Sequence, residues 1–429
     1  MTGARLGEGG PPAPQLPGVR IVVDVRPLQE PDRSPTTAIY LEQLLQAFAA
    51  DPLEGESFTI LRQAGLPDPT EALDALRGLP VAGRRALPPT RLLRSGALTT
   101  DPFVLRSASI GAGLGATSGG AAGAVYHTAS GAVPLASGLP VVVTLLDLAP
   151  WELPLAYQRS PAARFGQRLR ARILRDAAAV IVPSDAAGRA ARRLLHLRRD
   201  RIRVVALAAR SEFVPEAVAG AADERVRLGL PERYLVYPGR YDARQDLPTL
   251  LEALAGLAAA GRPTVLDPAV GWPPRLVLVD ASPDDRAALA RAAARYGVGE
   301  LLSYAPHLGP SPLAALVAGA RAAVLPVVSA TAGLPIVETL ACGTPVVASA
   351  VGTLPEIVGA AGLLVEPRDP GRLAAAIATA WSDDAVYAGL LDAIGKRARG
   401  ARRTWADVAR ETRAVYAGAA IRGAGATER

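Results

Sequence analysis

The segment SATAGLPIVETLACGTPVVAS, residues 329–349, joins residue types that suit an anionic ligand. Pro335 is expected at the first position of a helix, which leaves the amides around Gly333 and Leu334 free for an anion. Glu338 is expected within that helix's first turn, where the dipole keeps a carboxylate ionised and ready to accept two hydrogen bonds from a ribose diol. An acid that only complements the dipole fits the same pattern. A second loop, YPGRYDARQDLPTL, offers Gly239 for close backbone approach and Arg240, whose fork of donors suits a diphosphate. An ion pair at a domain edge is the other use for Arg240.

Composition narrows the classes. The chain has 429 residues, half of them hydrophobic and 4% aromatic, which points to layers of helix and sheet with an Ala/Leu/Val core. The net charge of +7 comes almost wholly from arginine, Lys396 being the only lysine. A basic balance admits nucleic acid, an anionic membrane or an anionic substrate. No zinc spacing and no aromatic-basic interleaving supports nucleic acid, and a genome-wide arginine bias accounts for the charge equally well. Cys342 is the sole cysteine, so neither an intramolecular disulfide nor a cysteine-based metal site can form, and a reducing cytoplasm fits. The opening MTGARLGEGGPPAPQLPG lacks the apolar core of a signal peptide and is expected to be a disordered leader, residues 1–18. No run of about 18 apolar residues spans a bilayer.

From Gly18 onward, short apolar strands alternate with amphipathic helices, the pattern of a doubly wound α/β layer. RIVVDV, SFTILR, AVYHTA, PVVVTLLDL, AAVIVPSD and RIRVVALA read as strands of a first half, 19–212. Ser34, with Pro35 behind it, is expected to cap one helix, and Ser184 another. RSEFVPEAVAGAADERVRLGLPER has no sustained apolar period and is expected to be a linker over 213–232. The alternation restarts through 233–400 with YLVYPG, RLVLVD, LLSYA, AAVLPV, PVVAS and GLLVEP as strands. A last helix, within 401–420, carries Trp405, Val408, Thr412, Val415 and Tyr416 on one face and so must pack on something apolar, and is expected to pack back toward the first half; a tail follows at 421–429.

GLPIVETLACGTPVVASAVGTLPEIVGAAGLLVEP resembles the C-terminal signature of GT-B glycosyltransferases of the large retaining family 4. RIVVDVRPLQ, GLPVVVTLLDLAPWELP, VIVPSDAAGRAARRLL with RIRVVALA, YPGRYDARQDLPTLLEAL and TWADVARETRAVYAG resemble the family's other segments in the expected order. The nearest likeness is to the mannosyltransferase-like branch that builds envelope polysaccharides. The resemblance implies two Rossmann-like domains facing across a cleft, the first binding a glycan or lipid-linked acceptor and the second a nucleoside diphosphate sugar, with transfer that needs no metal or cofactor. It implies that Glu338 holds the ribose hydroxyls, Arg240 the diphosphate, and the amides near Gly333 and Leu334 a phosphate. Leu354, Pro355 and Glu356 would shape the same wall. The implied location is the cytoplasm, in part at the inner face of the cell membrane.

Four positions depart from the family pattern. The glutamate that contacts the donor sugar is replaced by Ala330, the histidine facing the sugar by Leu146 beside a retained Asp147, the lysine after G-R by Gln245 beside Arg244, and two first-loop glycines by Thr36 and Ala38. Losses of this kind cost about 1.5–3 kcal/mol for a charged hydrogen bond and about 3–4 for a transition-state contact. Arg244, Ser329, Thr331 and His127 are candidates for compensation, with His127 and the retained Asp147 on the acceptor side. The expected activity is sugar transfer to a polysaccharide or glycolipid; the alternative is a nucleotide-binding pseudoenzyme that supports an active transferase. Two further stretches read as structural: GAGLGATSGGAAGA (111–124), a flexible loop, and the arginine-rich RSPAARFGQRLRARILR (159–175), a solvated helix face whose other reading is a grip on anionic lipid.

Overall fold

The computed structural model describes residues 18–87, 123–129, 133–135, 137–264, 266–400 and 402–427. The expected leader, apart from Gly18, and all but the last two residues of the glycine-rich stretch lie outside the described residues.

Two parallel sheets carry the fold, as the alternation of strands and helices requires. The first has seven strands in the order β3-β2-β1-β4-β5-β6-β7: β1 (Arg20–Asp24), β2 (Ser57–Gln63), β3 (Val81–Leu87), β4 (Ala124–Thr128), β5 (Val141–Thr144), β6 (Ala179–Val182) and β7 (Ile202–Val204). The second has six in the order β10-β9-β8-β11-β12-β13: β8 (Leu235–Tyr237), β9 (Leu276–Val279), β10 (Leu302–Ala305), β11 (Ala322–Leu325), β12 (Val346–Ser349) and β13 (Gly362–Val365). Central strands such as LVLV, AAVL and VVAS are buried at every residue, the mark of a parallel sheet covered on both faces.

Among the connecting helices are α1 (Pro35–Ala50), α2 (Ala149–Glu152), α3 (Pro154–Tyr157), α4 (Pro161–Asp176), α5 (Asp185–Leu195), α6 (Ala221–Arg227), α7 (Leu247–Ala260), α8 (Pro283–Tyr296), α9 (Pro310–Ala318), α10 (Leu334–Ala341), α11 (Leu354–Val358), α12 (Pro370–Ser382), α13 (Asp384–Ala398) and α14 (Trp405–Thr427). The Ser184 hydroxyl accepts from the Ala187 amide and caps α5 as expected. Ser34 precedes α1 but its side chain makes no capping bond, so the fixed φ of Pro35 carries that start alone. Thr36 and Ala38 therefore lie in the first turns of a helix. The stretch expected to be a linker holds a 3-10 turn, Pro215–Gly220, and α6; neither buries a residue, which is why no apolar period announced them. The last helix continues to Thr427, beyond the expected end.

The chain forms two compact units, Met1–Val143 with Asp176–Ala179 and Ala409–Arg429, and Thr144–Arg175 with Val180–Val408. In the first, Arg413 of α14 forms a buried bidentate ion pair with Glu56 and lies over the Phe48 ring, and Tyr416 packs on Phe48 and His127. In the second, one apolar layer includes Phe213, Val277, Ala323, Ile336 and Val346, and the opposite one Leu254, Leu276, Val324, Leu373 and Trp381. All four tryptophans, Trp151, Trp272, Trp381 and Trp405, belong to this second unit.

Candidate functional site

In the second sheet the chain leaves β8, builds β9 and β10 on one side, and returns to place β11 on the other. The crevice outside the carboxyl ends of β8 and β11 is thus the topological switch point, where open α/β sheets bind ligands. The two loops singled out by residue type both start there. They are tied together by an isolated antiparallel bridge between Gln245 and Val327, and by amide bonds from Val328 to the Arg244 carbonyl and from Asp246 to the Pro326 carbonyl.

The β11 loop ends at Gly333, whose φ of 66° is left-handed and whose absent Cβ would lie 2.5 Å from Ile357 Cδ1. Conformation and packing therefore both demand glycine. No acceptor among the described residues takes the Gly333 or Leu334 amide. Pro335 is the second residue of α10, and Glu338 the fifth, beyond the first turn. Its charge consequently does not rest on the helix dipole. The Arg210 Nε and Nη2 donate to the two carboxylate oxygens of Glu338 at 2.6 and 3.0 Å, with side-chain exposures of 12% and 7%. Burial pushes the Glu338 carboxyl above the usual carboxylate range, and the Arg210 guanidinium works against that push. Arg210 itself lies flat on Phe213.

On the β8 loop, the space left by Gly239 is filled by the Tyr237 ring, 2.5 Å from an added Cβ, and the Tyr237 hydroxyl donates to the Arg240 carbonyl. Glycine here makes room for a tyrosine. Arg240 is half-buried on the same turn. Arg244 is held between two carboxylates: it donates to Asp242 and lies 3.3 Å from Asp147. Burial opposes its charge, but the bond to Asp242 and the charges of Asp147 and Asp242 hold its protonation firmly. Gln245 keeps its Oε1 buried with no partner among the described residues. Tyr157 lies near this cluster, its hydroxyl pushed up to about 12 by burial and by the charge of Asp242.

Ala330 is fixed from three directions. Its carbonyl accepts from the Thr353 amide at 3.1 Å, and Gly352, φ 55°, passes so near that a Cβ would lie 1.9 Å from the Ala330 oxygen. On one side Ser329 donates to Glu152 at 2.5 Å; on the other Thr331 Oγ1 accepts from the Leu148 amide at 2.9 Å. The segment Leu148–Glu152 therefore brackets the alanine and brings a carboxylate to its side. Leu146 is buried. Asp147 accepts from the Ala149 amide, opening α2.

Two further expected residues are held by contacts of their own. His127 is buried in β4 with Nδ1 2.9 Å from the Tyr416 hydroxyl, in the first unit. The Glu356 carboxylate accepts from the Asp185 and Ala186 amides at the start of α5, while Leu354 and Ile357 of the same helix lie against Gly333. Arg210 and Glu152, which residue type alone did not single out, complete the site; their partners are 128 and 177 residues away. The acidic PWELP beside the retained Asp147 was the one local signal for Glu152.

The family models for glycosyl transferases group 1 and for the glycosyl transferase 4-like domain match residues 232–383 and 36–208. The solved sucrose-phosphate synthase of Thermosynechococcus elongatus superposes with a TM-score of 0.68 at 23% identity, covering 93% of this chain and 98% of that one. The chain belongs to the GT-B glycosyltransferases. HepE of Anabaena, solved with UDP and glucose, gives 0.66 at 17% identity over 92% of this chain and 98% of its own. WaaG, a glycosyltransferase involved in lipopolysaccharide biosynthesis, gives 0.66 at 13% over 93% and 99%. At these identities the likeness is one of fold. No curated protein sequence matches this glycosyltransferase chain. Among the described residues no group of His, Cys, Asp and Glu is arranged to hold a metal ion.

Proposed function

We propose that the protein is a retaining glycosyltransferase that takes its sugar from a nucleoside diphosphate sugar and passes it to an envelope polysaccharide or glycolipid, using no metal or cofactor. The observation that carries this reading is Glu338, a buried carboxylate on α10 one turn from the unpartnered amides of Gly333 and Leu334. Arg210 uses one lone pair on each oxygen, and each oxygen keeps a second for a ribose hydroxyl. In this reading the amides and Arg240 bind the diphosphate. In this reading the Glu152 carboxylate, bonded to Ser329 next to Ala330, accepts from a sugar hydroxyl in place of the family's glutamate.

One set of observations favours a second reading, a nucleotide-binding partner of an active transferase. Arg244 is already neutralised by Asp242 and Asp147, and Leu146 is apolar where a sugar needs a polar contact. A single panel separates the two: purified protein with UDP, GDP and ADP and their sugar conjugates, followed by thermal shift and by release of nucleoside diphosphate. Ligand at a hundredfold its Kd stabilises by about 2.7 kcal/mol whether or not it turns over. Glu338→Ala should abolish the shift from nucleotide and nucleotide sugar alike, whereas Glu152→Ala should weaken only the sugar conjugate. A shift without release, with acceptors added, selects the partner reading. No shift with any nucleotide sinks both.

A further inference from the structure

Helices α7 and α8 cover one face of the second sheet, and between them lies a pocket that the proposed donor site leaves unused. Its volume of about 510 Å³ falls in the range of small-molecule sites. Leu247 and Leu251 of α7 and Leu289 of α8 give it aliphatic walls, and Tyr241 and Tyr296 aromatic ones. The space exists because of the composition of α8: Ala288 and Ala292, which also line it, stop at Cβ where a longer side chain would fill it. Two charged side chains reach the pocket. Asp285 is already engaged at the start of α8, its carboxylate accepting from the Ser282 hydroxyl at 2.5 Å. Arg295 is exposed, and no carboxylate among the described residues pairs with it.

We propose that this pocket binds a small amphiphilic anion, an apolar body ending in a single carboxylate, sulfonate or phosphate. The body displaces water from leucine and tyrosine side chains, which supplies most of the affinity, and the head pairs with the fork of donors on Arg295. Ala288, Ala292 and Arg295 follow one another along about 10 Å of α8, at 1.5 Å per residue, so one molecule reaches both the apolar wall and the cation. A protein partner fits less well. Glu252, Asp284 and Arg291, which flank lining residues in the chain, are exposed and charged, whereas the core of a protein interface is depleted in charge. The pocket also touches the β8 loop. Tyr241 directly follows Arg240, its hydroxyl donates to the Val279 carbonyl at 2.8 Å, and its ring packs on Tyr237 with centroids 5.6 Å apart. An occupant resting on Tyr241 therefore damps the motion of that loop. The inference does not depend on what the donor site binds or transfers.

The test is fluorescence titration of the full chain with 8-anilinonaphthalene-1-sulfonate, followed by displacement with decanoate below its micellar range. A single saturable site, emptied by decanoate but not by decyltrimethylammonium or UDP, is the expected result. Arg295→Glu should weaken the sulfonate about tenfold, since an exposed ion pair contributes up to about fivefold and the reversed charge adds repulsion. Ala288→Phe, which fills the space, should abolish binding. Both residues are exposed, so the variants should keep the far-ultraviolet circular dichroism of the parent. Arg291→Glu changes the same net charge on the same helix without touching the lining and should bind as the parent does. With decanoate bound, amide hydrogen exchange should slow at Tyr241–Gln245 and along α8. No saturable binding, displacement by UDP, unchanged binding in Ala288→Phe or Arg295→Glu, an equal loss in Arg291→Glu, or exchange slowed along α10 and not at Tyr241 would each overturn the proposal.

Discussion

A carboxylate buried inside a protein needs a permanent counterion, and for Glu338 that counterion is Arg210. Removing one partner of a buried pair leaves an uncompensated charge, so Arg210→Ala should destabilise the second unit by about 3–5 kcal/mol, whereas Arg210→Ala/Glu338→Ala should recover much of it. Urea unfolding of both variants measures the difference, and a double variant no more stable than the single would refute the pairing. Four residues from Glu338, the Cys342 thiol is pushed up to about 12, chiefly by burial and further by the Glu338 charge. It should not react with an aromatic disulfide reagent at neutral pH until the chain unfolds; a native-state reaction at the rate of a free thiol would contradict its placement. Sequence made Glu338 and Gly333 legible because a helix start constrains residue type locally. It hid Arg210 because a lone arginine in an aperiodic stretch carries no mark of the partner it reaches by folding.

Elements were legible in proportion to their burial. The core strands, with every residue buried, advertised themselves as apolar runs, while β3, mostly exposed with two arginines in its seven residues, and the unburied α6 gave no period to read. α13, with only Leu390 and Ile394 buried, was hidden for the same reason. The joint of β4 and α14 has a measurable signature. Burial holds the His127 imidazole down at about 3, with the charge of Asp24 opposing. The folded value lies below the ordinary 6.5, so between the two the unfolded chain binds the proton and the folded chain does not. Stability is therefore full above that window and falls as the pH drops through it, by about 1.4 kcal/mol per pH unit from this group. His127→Gln, which keeps a partner for Tyr416, should flatten the pH dependence between pH 6 and 4; parallel curves for parent and variant would show that the ring is protonated when folded.

At the scale of the whole chain, order did what no single motif could. The fold was legible because six short resemblances occurred in the right sequence, and the two sheets follow from that alternation. Element ends were less legible: the last helix runs on to Thr427 through Gly418, Gly423 and Gly425, residues that by type suggest an earlier stop. No helix among the described residues is long and apolar enough to cross a membrane. Finally, the placement of every tryptophan in the second unit has an optical consequence. Light absorbed near 295 nm excites indole alone, so intrinsic emission is a private channel to the unit that carries Glu338. Trp151, stacked under Arg170, directly precedes Glu152 in the chain. Nucleotide sugar should change the emission and raise the emission-detected melting point, and Trp151→Phe should remove most of the change in emission while leaving the shift in melting intact. The protein thus comes with its own binding assay, one that needs no label and no knowledge of the acceptor.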